Sequence, residues 1–374
     1  MEENPLTMTL DELRTALTEV DGQLIDLVAR RQALSGQVAA VKRATGRPTR
    51  DFGRERDVIL HGRRHAERLG VSADLAESLL RQLIQSSLTT QEHARVSAQA
   101  YGSGKRALII GGRGKMGSWF AEFLASQGFH VQIADPAGAL QGFDYIADWQ
   151  ADGLEQDLIV LATPLGATAD LLKLIARRAP RGLIFDLGSL KTPLRAGLSA
   201  LVEAGCRVTS LHPMFGPDTA LLSGRHVIFI DLGHAGALRE AQELFASTMA
   251  ERVVMGLDEH DRLIAFVLGL SHALNIAFFT ALAESGEAAP RLARMSSTTF
   301  DAQLEVASRV AAESPELYFE IQSLNEYGEQ SLRALQEAVG RIAGAVRDRD
   351  LAEFSAIMHR GRAYLDVRAA ALAQ

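Results

Sequence analysis

Gly112-Arg113-Gly114-Lys115-Met116-Gly117 follows the apolar run Ala107-Leu108-Ile109-Ile110 and leads into Ser118-Trp119-Phe120-Ala121-Glu122-Phe123-Leu124. Strand, glycine turn and helix in that order form a dinucleotide cradle. The missing side chains let a pyrophosphate approach the backbone, and the helix N-terminus faces it. Gly112, Gly114, Lys115, Met116 and Gly117 are therefore candidate cofactor-binding residues. The next apolar stretch, Phe129-His130-Val131-Gln132-Ile133-Ala134, ends in Asp135. A carboxylate about twenty residues beyond the glycines accepts hydrogen bonds from the adenosine ribose and repels a 2′-phosphate, which favours NAD over NADP. Apolar runs at residues 157–163, 182–186, 208–211 and 227–230, separated by helical stretches, are expected to extend one doubly wound sheet. Thr163-Pro164 ends one of these runs. It is read either as a further contact to the dinucleotide or as an ordinary strand-ending turn.

A glycine turn that begins at residue 112 leaves a whole module in front of it. The 374 residues have room for two or three domains, and 47% hydrophobic with 23% charged residues is a globular composition. A net charge of −7 argues against general nucleic-acid binding, so an anionic ligand needs a local cluster of Arg and Lys. Cys206 is the single cysteine, which excludes a disulfide framework and a cysteine metal cluster; no metal is expected. The start, Met1-Glu2-Glu3-Asn4-Pro5, is acidic and lacks a signal h-region, so a cytoplasmic location is expected. Residues 263–283 are apolar enough to suggest a membrane span. Ser271, His272, Asn275 and Thr280 interrupt them, however, and a buried helix is the expectation, with no membrane.

In the front module, Leu13, Leu17, Val20, Leu24, Leu27, Leu34, Val38 and Val41 follow the 4-3 spacing of a long packed helix. Arg31 falls where the rhythm calls for an apolar side chain. It is either a register-setting or outward-snorkelling residue, or part of a site facing the core. Lys42 lies about three turns, ~16 Å, further along the same face, so the two cations can bracket a small dianion. Arg14 lies ~25 Å from Arg31 in the other direction, beyond the reach of one small ligand within one chain. If Arg14 contributes, it comes from a second copy. Thr45-Gly46-Arg47-Pro48 breaks the helix. A short Arg-rich helix then starts near Asp51, Arg54 and Glu55, and a third runs from about Ser72 to Glu92. Ser87 and Gln91 lie one turn apart on that third helix.

Leu13-Arg14, Arg31, Val41-Lys42, Arg47-Pro48, Arg50-Asp51, Arg54-Glu55-Arg56, Ser87 and Gln91 together resemble the all-helical (AroQ-type) chorismate mutases over residues 8–95. The resemblance implies that Arg31, Arg54 and the partner subunit's Arg14 bind two carboxylates, with Ser87 completing those contacts. It also implies Lys42 and Gln91 at the ether oxygen and Asp51 and Glu55 at the ring hydroxyl. The chemistry fits a cationic pocket. Rearranging chorismate to prephenate needs no nucleophile or cofactor, only a folded dianion and donors at the breaking ether oxygen.

Two strand ends carry polar residues: Gly188-Ser189-Leu190-Lys191, and Ser210-Leu211-His212-Pro213-Met214-Phe215-Gly216-Pro217. Ligands of open α/β sheets bind at the carboxyl ends of strands. There His212, flanked by Pro213 and the Gly216-Pro217 turn, suits taking a proton from a hydroxyl while hydride leaves the same carbon. The lysine that 3-hydroxyacid dehydrogenases use in their helical domain has no counterpart here, because no lysine follows Lys191.

Both segments, with Asp186-Leu187 upstream of the first, resemble the prephenate dehydrogenases, above all those fused to chorismate mutase. That resemblance implies His212 as base on the ring hydroxyl, Ser189 in support, and hydride transfer to NAD+ with loss of CO2. It implies Arg309, in Val306-Ala307-Ser308-Arg309, at a prephenate carboxylate. His260 and His272 match substrate-site positions as well, with an N-cap and a buried structural role as their plainer readings. Asp301 departs from the family, which has a basic residue there, and this raises an amino-substituted analogue (arogenate or 4-amino-4-deoxyprephenate) as the alternative substrate. A non-catalytic NAD-binding regulatory dimer is the remote alternative. The expected architecture is multidomain α and α/β. It comprises a three-helix chorismate mutase module (1–97), a Rossmann-type doubly wound nucleotide domain (98–257), and an all-helical dimerisation and substrate domain (258–374). Chorismate, prephenate and NAD are the expected ligands, and a homodimer through both helical domains is the expected assembly.

Overall fold

The computed structural model describes residues 8–372; the acidic stretch Met1 to Pro5 lies outside them. The front module is three helices: α1 (Leu10–Ala44), α2 (Phe52–Arg68) and α3 (Ala73–Gln99). Thr9 and Glu12 close a capping box on α1, Asp51 caps α2 through the Arg54 N–H, and Ser72 caps α3. The third helix therefore starts where the sequence indicates and runs seven residues further than expected. Packing of α2 against α3 buries Ile59, Ala66 and Leu88, while α1 lies along α3 and buries only Ala39. The apolar seam of α1 faces away from its own chain: Leu17 is 63% and Leu27 60% exposed.

The nucleotide domain follows with β1 (Arg106–Ile110), α4 (Lys115–Ser126), β2 (His130–Ala134), β3 (Asp144–Tyr145), β4 (Leu158–Leu161), α5 (Leu165–Ala176), β5 (Leu183–Asp186), α6 (Arg195–Glu203) and β6 (Arg207–Val208). The six strands form one parallel sheet in the order β3-β2-β1-β4-β5-β6. Period-two alternation explains its two covered faces. In β1, Ala107 and Ile109 join a cluster with Phe120, Phe123 and Phe245, whereas Leu108 and Ile110 join one with Leu172, Ile175 and Leu198.

The strands β7 (Ser210–Pro213), β8 (His226–Ile230) and β9 (Glu251–Met255), with α7 (Ala235–Glu243), correct the expectation of a single extended sheet. They form a separate sheet in the order β7-β8-β9, antiparallel between the first pair and parallel between the second. The run at 208–211 is split between the two sheets, because Thr209 bonds back to β5 while Ser210 opens the new ladder. Hydrophobicity marks strands but not which sheet receives them.

The last domain contains α8 (Leu257–Ile264), a π-helical segment at Ala265–Leu270, α9 (Ser271–Glu284), α10 (Ala289–Ala293), α11 (Thr298–Ala311), α12 (Pro315–Ser323), α13 (Gly328–Arg347) and α14 (Leu351–Leu372). The span from Leu257 to Glu284 is long and apolar enough to cross a membrane by composition. Here it is the helix on which α11, α12 and α13 pack. Its own chain leaves Leu263, Phe266, Val267 and Leu274 exposed, so a single copy does not bury it as expected.

Candidate active sites

The first site lies in the front module. A cavity of about 260 Å³ is lined by Arg31, Lys42, Asp51, Arg54, Glu55, Ser87 and Gln91, seven of the eight residues expected for the mutase pocket. The Arg31 guanidinium reaches across to α3, donating to the Leu83 carbonyl at 2.8 Å and to Ser87 Oγ at 2.7 Å. Burial pushes its pKa down from the ordinary arginine value. Gln91 donates to Ser35 at 2.7 Å and leaves its buried Oε1 without a partner. Arg14 is remote from the cavity lining, exposed, and paired with Asp11 at 3.3 Å, as the helix geometry requires.

Two expected ligand contacts are already occupied. Asp51 Oδ1 accepts the Arg54 N–H at 2.9 Å as the cap of α2. Both carboxylate oxygens of Glu55 accept from Arg50, at 2.9 and 3.0 Å, and Arg50 also donates to Ser223 Oγ at 2.6 Å. Arg50 adjoins Asp51 in the recognised stretch, but its tie to the nucleotide domain has no sequence signal. Glu92 makes a second tie, accepting the backbone N–H groups of Leu222 (2.8 Å) and Met249.

The second site gathers at the glycine turn. A Cβ on Gly111 (φ +87°) would lie 2.6 Å from the Ala162 carbonyl oxygen and 2.8 Å from the Thr163 methyl, and one on Gly117 would lie 2.2 Å from the Gly111 oxygen. Only glycine fits either position, and Gly111 was not among the expected cradle residues. The turn thus abuts the end of β4, where Thr163 bonds Thr168 at 2.7 Å and Pro164 caps α5. Asp135 accepts from the Arg113 and Ala137 N–H groups at 3.0 and 2.8 Å, which fixes the carboxylate beside the turn. These features fit NAD, with the glycine cradle for its pyrophosphate and Asp135 for its ribose. Replacing Asp135 by serine is expected to raise the KM for NAD+ at least tenfold and to narrow its advantage over NADP+; steady-state kinetics with both cofactors checks this. Two fingerprint side chains are engaged elsewhere. Lys115 pairs with Glu313 at 3.0 Å, and Met116 packs against the core cluster under the sheet.

At the carboxyl end of β7 stands His212, buried, with Nδ1 at 2.9 Å from His260 Nε2. His260 Nδ1 lies 2.6 Å from Asp261 Oδ1. The Asp261 carboxylate also accepts the backbone N–H of Lys191 (2.9 Å) and of Thr192 (2.6 Å). Burial alone would raise the Asp261 pKa, but bonds from His260, Thr192 and the two N–H groups bring it below the ordinary value. Ionised Asp261 holds the proton of neutral His260 on Nδ1. The bare His260 Nε2 then accepts from His212 Nδ1–H, which leaves the lone pair of His212 on Nε2. Burial pushes the His212 pKa well below that of free imidazole, with the nearby Lys191 ammonium adding to it. Lys191, fully buried, donates to Asp186 (2.9 Å) and to the Leu211 carbonyl (2.7 Å) beside His212.

The plainer N-cap reading of His260 fails, because Gly256 caps α8. Asp261, Lys191 and Asp186 were missed as participants; the adjacency His260-Asp261 was the available signal. Ser189 makes no hydrogen bond to His212 among the described residues. His272 packs against Tyr318 with centroids 4.3 Å apart and ring planes tilted by 47°, and its Nδ1 is buried without a partner. Arg309 is exposed on α11 and pairs with Glu305 at 2.5 Å, away from the described contacts of His212. Asp301 lies in the first turn of α11, where Ser297 caps the helix and Ser296 donates to the carboxylate.

Three family models match the chain: chorismate mutase type II over residues 13–92, the prephenate dehydrogenase nucleotide-binding domain over 134–254, and the prephenate dehydrogenase dimerization domain over 257–360. The chain is 29% identical over 359 residues to the T-protein of Enterobacter agglomerans, covering 94% of this chain and 91% of that one. It is also 29% identical over 278 residues to the 4-amino-4-deoxyprephenate dehydrogenase of Streptomyces pristinaespiralis, covering 71% and 93%. The solved prephenate dehydrogenase of A. aeolicus, in complex with hydroxyphenyl propionate and NAD+, shares the fold at a TM-score of 0.55 and 18% identity, over 71% of this chain and 99% of that one.

Proposed function

We infer that this chain, which belongs to the bifunctional chorismate mutase/prephenate dehydrogenases, uses its two pockets as the two active sites of one enzyme of tyrosine biosynthesis. It rearranges chorismate to prephenate, then oxidises and decarboxylates prephenate to 4-hydroxyphenylpyruvate, CO2 and NADH. The T-protein match includes the front module and weighs for prephenate over an amino-substituted analogue. Asp301 has a structural reason to be acidic, as a first-turn residue on a helix dipole.

In the mutase pocket, Arg31 and Arg54 are assigned to the substrate carboxylates with Arg14 of the partner subunit, and Ser87 orients Arg31. Lys42 and Gln91 are placed at the ether oxygen, where negative charge grows as the C–O bond breaks and the new C–C bond forms. The occupied Glu55 points to Arg50 as the residue that sets its position.

The observation that carries the dehydrogenase assignment is the Asp261–His260–His212 chain, which presents a neutral base. The glycine cradle and Asp135 would hold NAD+, which when bound would supply the hydride acceptor. His212 Nε2 takes the C4 hydroxyl proton as hydride leaves C4, giving a ring ketone. Loss of CO2 from C1 sends its electron pair through the ring to the C4 oxygen, and the proton on His212 returns there. Arg309 and His272 are assigned to the prephenate carboxylates and Ser189 to the ring hydroxyl.

A homodimer through both helical modules is part of the same proposal. It is supported by the exposed seam of α1, the exposed apolar residues of α9 and α14, and the remoteness of Arg14. A cytoplasmic location completes it, supported by the helices packed on the Leu257–Glu284 span. The dimer has a direct test. Arg14→Ala and Arg31→Ala subunits, each with mutase activity cut by about a hundredfold or more, are refolded together. If Arg14 acts across the dimer, half the mixed population carries one intact pocket, restoring about a quarter of wild-type mutase activity. No recovery would place both arginines in one subunit's pocket and sink the assignment.

A further inference from the structure

Beside the mutase pocket lies a second cavity, of about 280 Å³, lined by Lys42, Arg43, Arg47 and Arg95 with no carboxylate in its wall. None of these four cations forms an ion pair among the described residues. Arg95 and Lys42 converge on one residue: Arg95 Nη1 donates to Thr49 Oγ1 at 3.1 Å and Lys42 Nζ to the Thr49 carbonyl at 2.6 Å. Thr49 is buried, so the two side chains are held and not merely drifting at the surface. Like charges gathered without counter-charges repel one another, and an anion among them offsets that repulsion. The chain as a whole carries −7, so the cluster is no reflection of a basic background.

The position of this cavity gives it a purpose. Lys42, Thr49 and Gln91 line both cavities, so the second adjoins the mutase pocket across a shared wall. We propose that the Arg43–Arg47–Arg95 cavity is a capture site for the cyclic dicarboxylate dianion on its way into or out of the mutase pocket. This rests on the mutase reading above. The arginines draw the dianion from solution, and Lys42, facing both cavities, passes it to the reacting geometry. Such a site raises the encounter rate and adds nothing to the rearrangement itself.

The test is the double variant Arg43→Gln/Arg47→Gln, two exposed side chains without described hydrogen bonds, assayed as the full chain. At low ionic strength mutase kcat/KM is expected to fall five- to tenfold with kcat within twofold of wild type. The difference should shrink below twofold at 0.5 M NaCl, where the screening length is only a few ångströms. Arg95→Gln should show the same salt pattern. An unchanged kcat/KM at low salt, a loss that salt does not reduce, or an equal loss of kcat would overturn the capture site. Absence of mutase turnover in the wild-type chain would instead overturn the reading on which it rests.

Discussion

His212→Asn is expected to lower dehydrogenase kcat by roughly a thousandfold, within the range of a lost general base, while mutase turnover stays within twofold of wild type. Asparagine can occupy the position and still contact His260, so the fold and the cofactor cradle remain. What it lacks is a lone pair able to take the C4 hydroxyl proton. The structure explains why histidine serves here. Asp261 fixes the proton of His260, His260 fixes the proton of His212, and the outward nitrogen is left basic. The pH dependence follows from the same burial. Because the His212 pKa lies well below the free-imidazole value, the base form persists on acidification. Dehydrogenase kcat/KM should therefore stay level through neutrality and fall only below the ordinary imidazole range, near pH 6.5. A pH profile of the wild-type chain, compared with the level, residual rate of His212→Asn, reads this out. An acid limb above pH 7 would mean that another group controls proton transfer.

Arg31→Ala is the reciprocal experiment. It should reduce mutase kcat/KM by a factor of about 10²–10³, the usual cost of removing one preorganised charged donor, with the dehydrogenase unaffected. Arg31 Nη1 is committed to Leu83 and Ser87, which leaves the rest of the guanidinium fork for a carboxylate. Arg31→Lys should therefore recover little, because a single ammonium cannot hold α3 and the ligand together. Initial rates of chorismate loss and NADH formation, measured on the same preparation of each variant, separate the two sites. Loss of both activities in either variant would mean that the pockets are not independent.

The parts of this molecule legible in its sequence are those governed by local rules. The glycine turn needs residues without side chains, and Gly111 and Gly117 show the clash that any other residue would meet. Caps at Asp51 and Ser72 mark helix starts because their side chains satisfy nearby N–H groups. The cations of the mutase pocket were legible because helical periodicity places Arg31 and Lys42 on one face. Contacts that close over long separations were not. Arg50 to Ser223 spans 173 residues, and Glu92 reaches Leu222 across 130. Neither spacing nor composition encodes such a pairing. The second sheet was hidden for a related reason: Thr209 and Ser210 are neighbours in the chain yet bond to different sheets. At the dehydrogenase site, His212 was visible from its strand end, whereas the role of Asp261 appears only once α8 packs beside β7. The apolar seam of α1 and the Leu257–Glu284 span were expected to be covered, and a single chain leaves both partly exposed.

The central claim is that one polypeptide makes prephenate and then consumes it. The purified chain, given chorismate and NAD+, should form NADH and 4-hydroxyphenylpyruvate in equal amounts after a lag, and the lag should vanish when prephenate is supplied instead. Chorismate loss without NADH from prephenate, joined to rapid NADH formation from an amino-substituted analogue, would contradict it.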